Sequence, residues 1–145
     1  MNILVINGPN MNMLGVRQPE IYGTAAYEDL VNMISAEADR LGVSVRFFQS
    51  NHEGALVDAI QQAYYDQVDG IVINPGAYTH TSVALLDAVK AVGIPTVEVH
   101  ISDPDAREEF RRVSYIRQAC IATIKGRGFQ GYRDAMALLR EKLEA

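Results

Sequence analysis

The sequence has one cysteine, Cys120, so no disulfide can form within its 145 residues, which fits a reducing, cytoplasmic setting. Cys120 lies in the apolar run Ala119-Cys-Ile-Ala-Thr-Ile124 with no histidine near it in sequence, the setting of a buried, inert thiol rather than a nucleophile. Basic residues are the minority charge, 13 against 18 acids for a net charge of −5, and the tightest basic group, Arg107, Arg111 and Arg112, is interrupted by Glu108 and Glu109. That disfavours a nucleic-acid face. No apolar run approaches the roughly 20 residues of a membrane span. The first strand-like run starts at once, without a charged leader or cleavable apolar stretch before it. The expectation is a soluble, unexported, cytoplasmic protein. Repeats, low-complexity tracts and linkers are also missing. With 48% hydrophobic residues, the chain suits one domain, residues 1–145, around one core.

What is present is an alternation of strand-like and helix-like runs. Asn2-Ile-Leu-Val-Ile6 reads as a strand buried on both faces, and Thr24 is placed to cap a helix with Tyr27, Leu30, Val31, Ile34, Ala38 and Leu41 on one side, ended by Gly42. Val43 to Gln49 is the second strand, and Asn51 is placed to cap a helix whose Leu56, Ile60 and Tyr64 face inward. Gly70 to Asn74 is the third strand, followed by a Pro-Gly bend and a helix with Val83, Leu86 and Val89 on one face, stopped by Gly93 and Pro95. Pro95 to His100 is the fourth strand. A short charged helix follows Asp103-Pro104, then a fifth strand from Ala119 to Lys125, then a last helix with Tyr132, Met136, Leu139 and Leu143.

Five such units predict an α/β, flavodoxin-like, doubly wound sheet of five parallel strands in the order 2-1-3-4-5. Ligands of such sheets bind beyond the carboxyl ends of the strands, where the strand order reverses. That rule selects Asn7 and Asn10 after the first strand, Asn74 and His80 after the third, and Glu98, His100, Ile101 and Ser102 at the fourth. His52 follows the second strand and is expected to face solvent.

The connection from Asn7 to Gly23 is far longer than the usual two to six residues or so, and its Met11, Met13, Leu14, Ile21 and Tyr22 are too apolar for a solvated linker. We read residues of about 16–23 as an active-site lid, with Arg17 and Tyr22 on backbone that Gly15, Pro19 and Gly23 allow to bend. A metal is disfavoured, because Asn7 and Asn74 stand where carboxylates would be needed. His80, His100 and Glu98 are the only conceivable ligand set, and Glu98 beside His100 fits equally as the orienter of an acid. Gly126-Arg-Gly128-Phe-Gln-Gly131 fits the dinucleotide pattern G-x-G-x-x-G. The acid expected about twenty residues later has no place before Ala145, so tight packing of the last helix is the better reading. Proton transfer remains. A guanidinium favours the phenolate of a tyrosine whose reference pKa is about 10, so Arg17 and Tyr22 can form a base for a proton alpha to a ketone. His100 can protonate a leaving hydroxyl, and Asn10, or a water it holds, can stabilise an enolate oxygen. By residue type alone Asn10 and Asn74 fit turn formers equally well, and Asp87 and Arg111 fit solvated charges.

The ordered segments INGPN, LG-x-R-x-P-x-x-YG, NPGAYTHTSVAL-x-DA, EVHIS, REEFR and G-x-G-x-x-GY resemble the type II 3-dehydroquinate dehydratases of the shikimate and quinate pathways, across nearly the whole chain. The resemblance implies Tyr22 as the base at C2 of 3-dehydroquinate, Arg17 as stabiliser of the tyrosinate and transition state, and His100 as the acid for the C1 hydroxyl, held by Glu98. It implies that Asn10 positions a water on the enolate oxygen. It further implies substrate binding by Asn74, His80 and Arg111 and by the backbone of Ile101 and Ser102. Asp87 would reach a neighbouring subunit's site in a homododecamer, a tetramer of trimers. No cofactor, metal or Schiff base is implied, and Lys90, Lys125 and Lys142 all lie outside the rim motifs. Gln18, Met11, Met13, Asp103 and Arg112 depart from the commonest family residues. Two other classes compete: a non-catalytic binder of polyhydroxy acids, and a nucleotide-binding module using Gly126 to Gly131.

Overall fold

Short β-branched runs that can be buried on both faces set the centre of the molecule. The computed structural model describes residues 1–16, 19–22 and 24–145, with Pro19 and Tyr22 described through their backbone alone. Strands β1 (Asn2–Asn7), β2 (Ser44–Gln49), β3 (Gly70–Asn74), β4 (Thr96–His100) and β5 (Ala122–Lys125) form one parallel sheet in the order β2-β1-β3-β4-β5. This is the expected order. Every residue of β3 and β4 is buried, as parallel strands covered on both sides require.

The helices are α1 (Pro19–Tyr22), α2 (Tyr27–Leu41), α3 (Glu53–Tyr65), α4 (Val83–Val92) and α5 (Gln130–Glu144). Strand alternation sorts the core into two layers. Ile3, Val5, Val72, Val97 and Val99 join Leu30 and Ile34 of α2 and Met136 and Leu139 of α5. Leu4, Ile6, Ile71 and Ile73 join Leu56 and Ile60 of α3 and Leu85 and Val89 of α4. Each fully buried aliphatic side chain in these layers contributes about 1.5–3 kcal/mol before chain entropy is counted.

Several local expectations are corrected. The N-cap of α2 is Ala26 rather than Thr24, and the Asp29 carboxylate accepts the Ala26 N–H at 2.9 Å. Asn51 does not cap α3, which starts after His52. Its side chain instead accepts the Asn10 N–H at 3.0 Å. Ala63 continues the buried stripe of α3, while Tyr64 is exposed and meets Tyr65 edge-on. Val83 is exposed because it opens α4 just after Ser82, whose hydroxyl caps the Leu85 N–H. β5 starts at Ala122, because Ile116–Ala119 closes a 3-10 turn first. The charged segment after Asp103 is two 3-10 turns, Pro104–Ala106 and Glu109–Arg112. No helix among the described residues is long and apolar enough to cross a membrane.

Candidate active site

The register places Asn7 of β1 beside Asn74 of β3 at the carboxyl edge of the sheet. The two strand ends are drawn together, with the Gly8 N–H donating to the Asn74 carbonyl at 2.8 Å. A Cβ at residue 8 would lie 2.5 Å from the Pro75 carbonyl oxygen, so only glycine fits there. Asn10 follows in the left-handed region at φ 68°, a conformation asparagine tolerates better than most residues.

Above this edge lies a cleft whose lining includes Asn10, Asn74, His80, His100, Ile101, Ser102 and Arg111, together with Met11, Pro104 and Arg107. A larger groove between β2 and α3 contains none of the expected site residues. The strand-end rule therefore locates the polar side chains better than cavity size does.

One wall of the cleft is a histidine–carboxylate pair. Residues two apart on a strand share a face, and His100 Nε2 lies 2.5 Å from Glu98 Oε2. That contact leaves Nδ1 as the ring nitrogen available to a ligand. Glu98 is fully buried. Its Oε2 also accepts the Ser114 hydroxyl at 2.9 Å, while Oε1 accepts Thr123 Oγ1 at 3.1 Å and Arg117 Nε at 3.4 Å. Burial alone would raise the pKa of this carboxyl. The bonds from His100 and Ser114 and the charges of His100 and Arg117 outweigh burial and hold it below the usual carboxylate value.

His80 Nδ1 donates to the Val113 carbonyl at 2.7 Å, which leaves Nε2 as an acceptor. Burial, with the charges of Arg111 and His100, lowers the His80 pKa against the opposing effects of Val113 and Glu98, favouring the neutral ring. Arg111 pairs with Glu108 at 2.6 Å and lines the same cleft. Ile101 and Ser102 are fixed through their carbonyls, which accept the Gly128 and Gly126 N–H groups at 3.0 and 3.1 Å.

Asn74 donates to the buried Tyr132 hydroxyl at 3.1 Å and accepts the Gly76 N–H at 3.1 Å. Tyr132 in turn donates to Asn7 Oδ1 at 2.6 Å, and Asn7 Nδ2 donates to Tyr27 at 3.2 Å. Burial raises the Tyr132 pKa well above the ordinary phenol value, so this hydroxyl is a fixed donor. Tyr132→Phe is expected to strand buried Asn7 and Asn74 groups and to destabilise the protein by about 1–3 kcal/mol, measurable by urea unfolding.

The remaining site expectations fall elsewhere. Asp87 is exposed on α4 and outside the lining of the cleft. Arg17 and the Tyr22 side chain lie outside the described residues. Among the described residues no three His, Cys, Asp or Glu side chains converge to hold a metal ion. The glycine motif is a packing device: a Cβ at Gly131 would sit 3.3 Å from Val99 and 3.4 Å from Ile124. Cys120 is half-buried, and burial and the nearby Glu98 push its thiol up to about 12.

Residues 1–140 match the family model described as dehydroquinase class II. The chain belongs to that family. It is 56% identical to the 3-dehydroquinate dehydratase of Caldicellulosiruptor bescii, over 98% of both chains. It is 58% identical to that of Corynebacterium glutamicum, over 94% of both. Its structure is similar to that of the type II dehydroquinase from Butyrivibrio crossotus, with a TM-score of 0.95, 52% identity and 97% of each chain covered. Within this class II dehydroquinase chain, sequence reasoning missed Ser114, Arg117 and Thr123 around Glu98, and Tyr132 behind Asn74. Thr123 had a usable signal, since the register pairs it with Glu98. Ser114 lies in irregular backbone and Arg117 in the single 3-10 turn Ile116–Ala119, too short for a periodicity to point to a face.

Proposed function

We propose that the cleft binds 3-dehydroquinate and removes water across C1 and C2 to give 3-dehydroshikimate, a step shared by the shikimate pathway and quinate breakdown. The observation that carries this reading is the buried Glu98 bonded to His100 at the cleft wall, an arrangement suited to holding a proton donor beside a leaving hydroxyl. Tyr22, five residues after Arg17 in a proposed lid of about residues 16–23, takes the C2 proton. The electrons pass to the C3 carbonyl as an enolate, whose oxygen is stabilised by a water held by Asn10. The enolate then re-forms the ketone, the C1–O bond breaks, and His100 supplies the proton that makes the departing hydroxyl water. The products are a conjugated enone and one water, in an anti elimination.

Asn74, the His80 Nε2 acceptor, Arg111 and the backbone of Ile101 and Ser102 bind the hydroxyls and carboxylate. The C3 ketone already acidifies the α proton, so the reaction needs no cofactor, metal or imine. The lysines agree with this: Lys90 and Lys142 are exposed on helices, and Lys125 is paired with Asp105. The direct test is ultraviolet detection of the enone after 3-dehydroquinate is added to the purified protein. Enone formation is expected. No turnover by folded, assembled protein would leave a non-catalytic polyhydroxy-acid binder as the reading.

We propose that Asp87, exposed on α4, reaches a neighbouring subunit's site in a homododecamer, a tetramer of trimers. Mixed assemblies of Asp87→Ala and Tyr22→Phe subunits are then expected to recover activity that neither variant has alone. Absence of recovery would count against sharing of sites between subunits.

A further inference from the structure

The Glu98–His100 pair poses a problem of proton placement. In a fully buried pair, two charges cost desolvation that a carboxylic acid beside a neutral imidazole avoids. A proton resting on Glu98 would be useless, because His100 is the member that lines the cleft. An ionised carboxylate has about four lone-pair sites, and the structure fills them with four donors. His100 and Ser114 take Oε2; Arg117 and Thr123 take Oε1.

The donors are not equivalent. A serine or threonine hydroxyl can turn and accept a bond from a protonated carboxyl, whereas a guanidinium has no acceptor and keeps its charge. Among the described residues, the ionisable groups facing Glu98 are His100 on its own strand, Arg117 from the turn Ile116–Ala119, Cys120 just beyond that turn, and His80 from the turn Gly76–His80. Of these, Arg117 alone is permanently charged, and its side chain is about one-third exposed. We infer that Arg117, assisted by Thr123, is a positioning residue for catalysis: by occupying Glu98 Oε1 it excludes a proton from the carboxylate and keeps that proton on His100. The inference rests on the elimination proposed above.

The test compares the parent with Arg117→Gln, Arg117→Lys and Thr123→Val by enone kinetics and by isotope-edited NMR of the His100 imidazole nitrogens. At the pH where the pair holds one proton, the parent is expected to show imidazolium and Arg117→Gln a neutral ring. kcat is expected to fall on the order of tenfold, with KM within about twofold, and Arg117→Lys is expected to recover part of both signals. Thr123→Val is expected to move the imidazole signals in the same direction by less, and serves as the test if Arg117→Gln does not fold. Imidazole signals unchanged in the folded variants overturn the inference. So do equal losses in the Gln and Lys variants that track only thermal stability. The NMR contrast without turnover by the parent would instead overturn the elimination and leave the placement of the proton standing.

Discussion

His100→Ala is expected to stop dehydration while sparing the first half of the reaction. In the proposed elimination His100 acts on the departing hydroxyl, and its loss would remove a general acid worth about 10²–10⁴ in rate. The proposal assigns removal of the C2 proton to Tyr22 instead, so the variant should still exchange that proton with heavy water. Glu98 keeps three of its four donors, Ser114, Thr123 and Arg117, and stays ionised, so the fold should survive. Proton NMR of the substrate in heavy water, run beside the enone assay, separates the half-reactions. Equal loss of exchange and dehydration would remove His100 from the leaving-group step and return the structure to a single proton-transfer site elsewhere in the cleft.

Tyr22→Phe is expected to abolish both exchange and dehydration, with a fall in kcat of about 10²–10⁴ or more. The phenyl ring has the same shape as the phenol and cannot accept a proton, so binding should change little and KM should remain within a few-fold. Arg17→Lys tests the partner. It keeps a cation but loses the planar, fixed guanidinium, so the pH at which kcat reaches half its maximum is expected to move upward as the tyrosine becomes harder to ionise. Surviving exchange in Tyr22→Phe would assign the base to another group. The contrast with His100→Ala makes the pair decisive, because one variant blocks the reaction before the enolate and the other after it.

Period-two and period-3.6 patterns place burial locally, and strand order and site location follow from them. Apolar runs such as Ile71-Val-Ile73 can only be central strands, and Leu30 and Ile34 can only face a sheet. The carboxyl-edge rule pointed to Asn10, Asn74, His80, His100, Ile101 and Ser102, which line one cleft, and the family resemblance added Arg111 to it. The motifs around them carried the family. Local patterns failed where a polar side chain had a choice of partner. Thr24 and Asn51 both looked like caps, yet Asp29 supplies the bond at Ala26 and Asn51 holds Asn10 from the far side of a loop. Tyr64 and Val83 fitted an apolar stripe, but the turn of each helix about its axis put Ala63 and Leu85 inside.

Amino-acid order determined the succession of the main strands and helices and which chemical groups stand at the strand ends, because those depend on hydrophobic period and residue type within a few positions. Tertiary structure alone decided how those groups are held. Tyr132 meets Asn7 across 125 positions, and Thr123 and Arg117 meet Glu98 across 25 and 19. Hydrogen-bond direction and proton placement depend on which donors packing brings to a buried acceptor, and no local pattern along the chain encodes that.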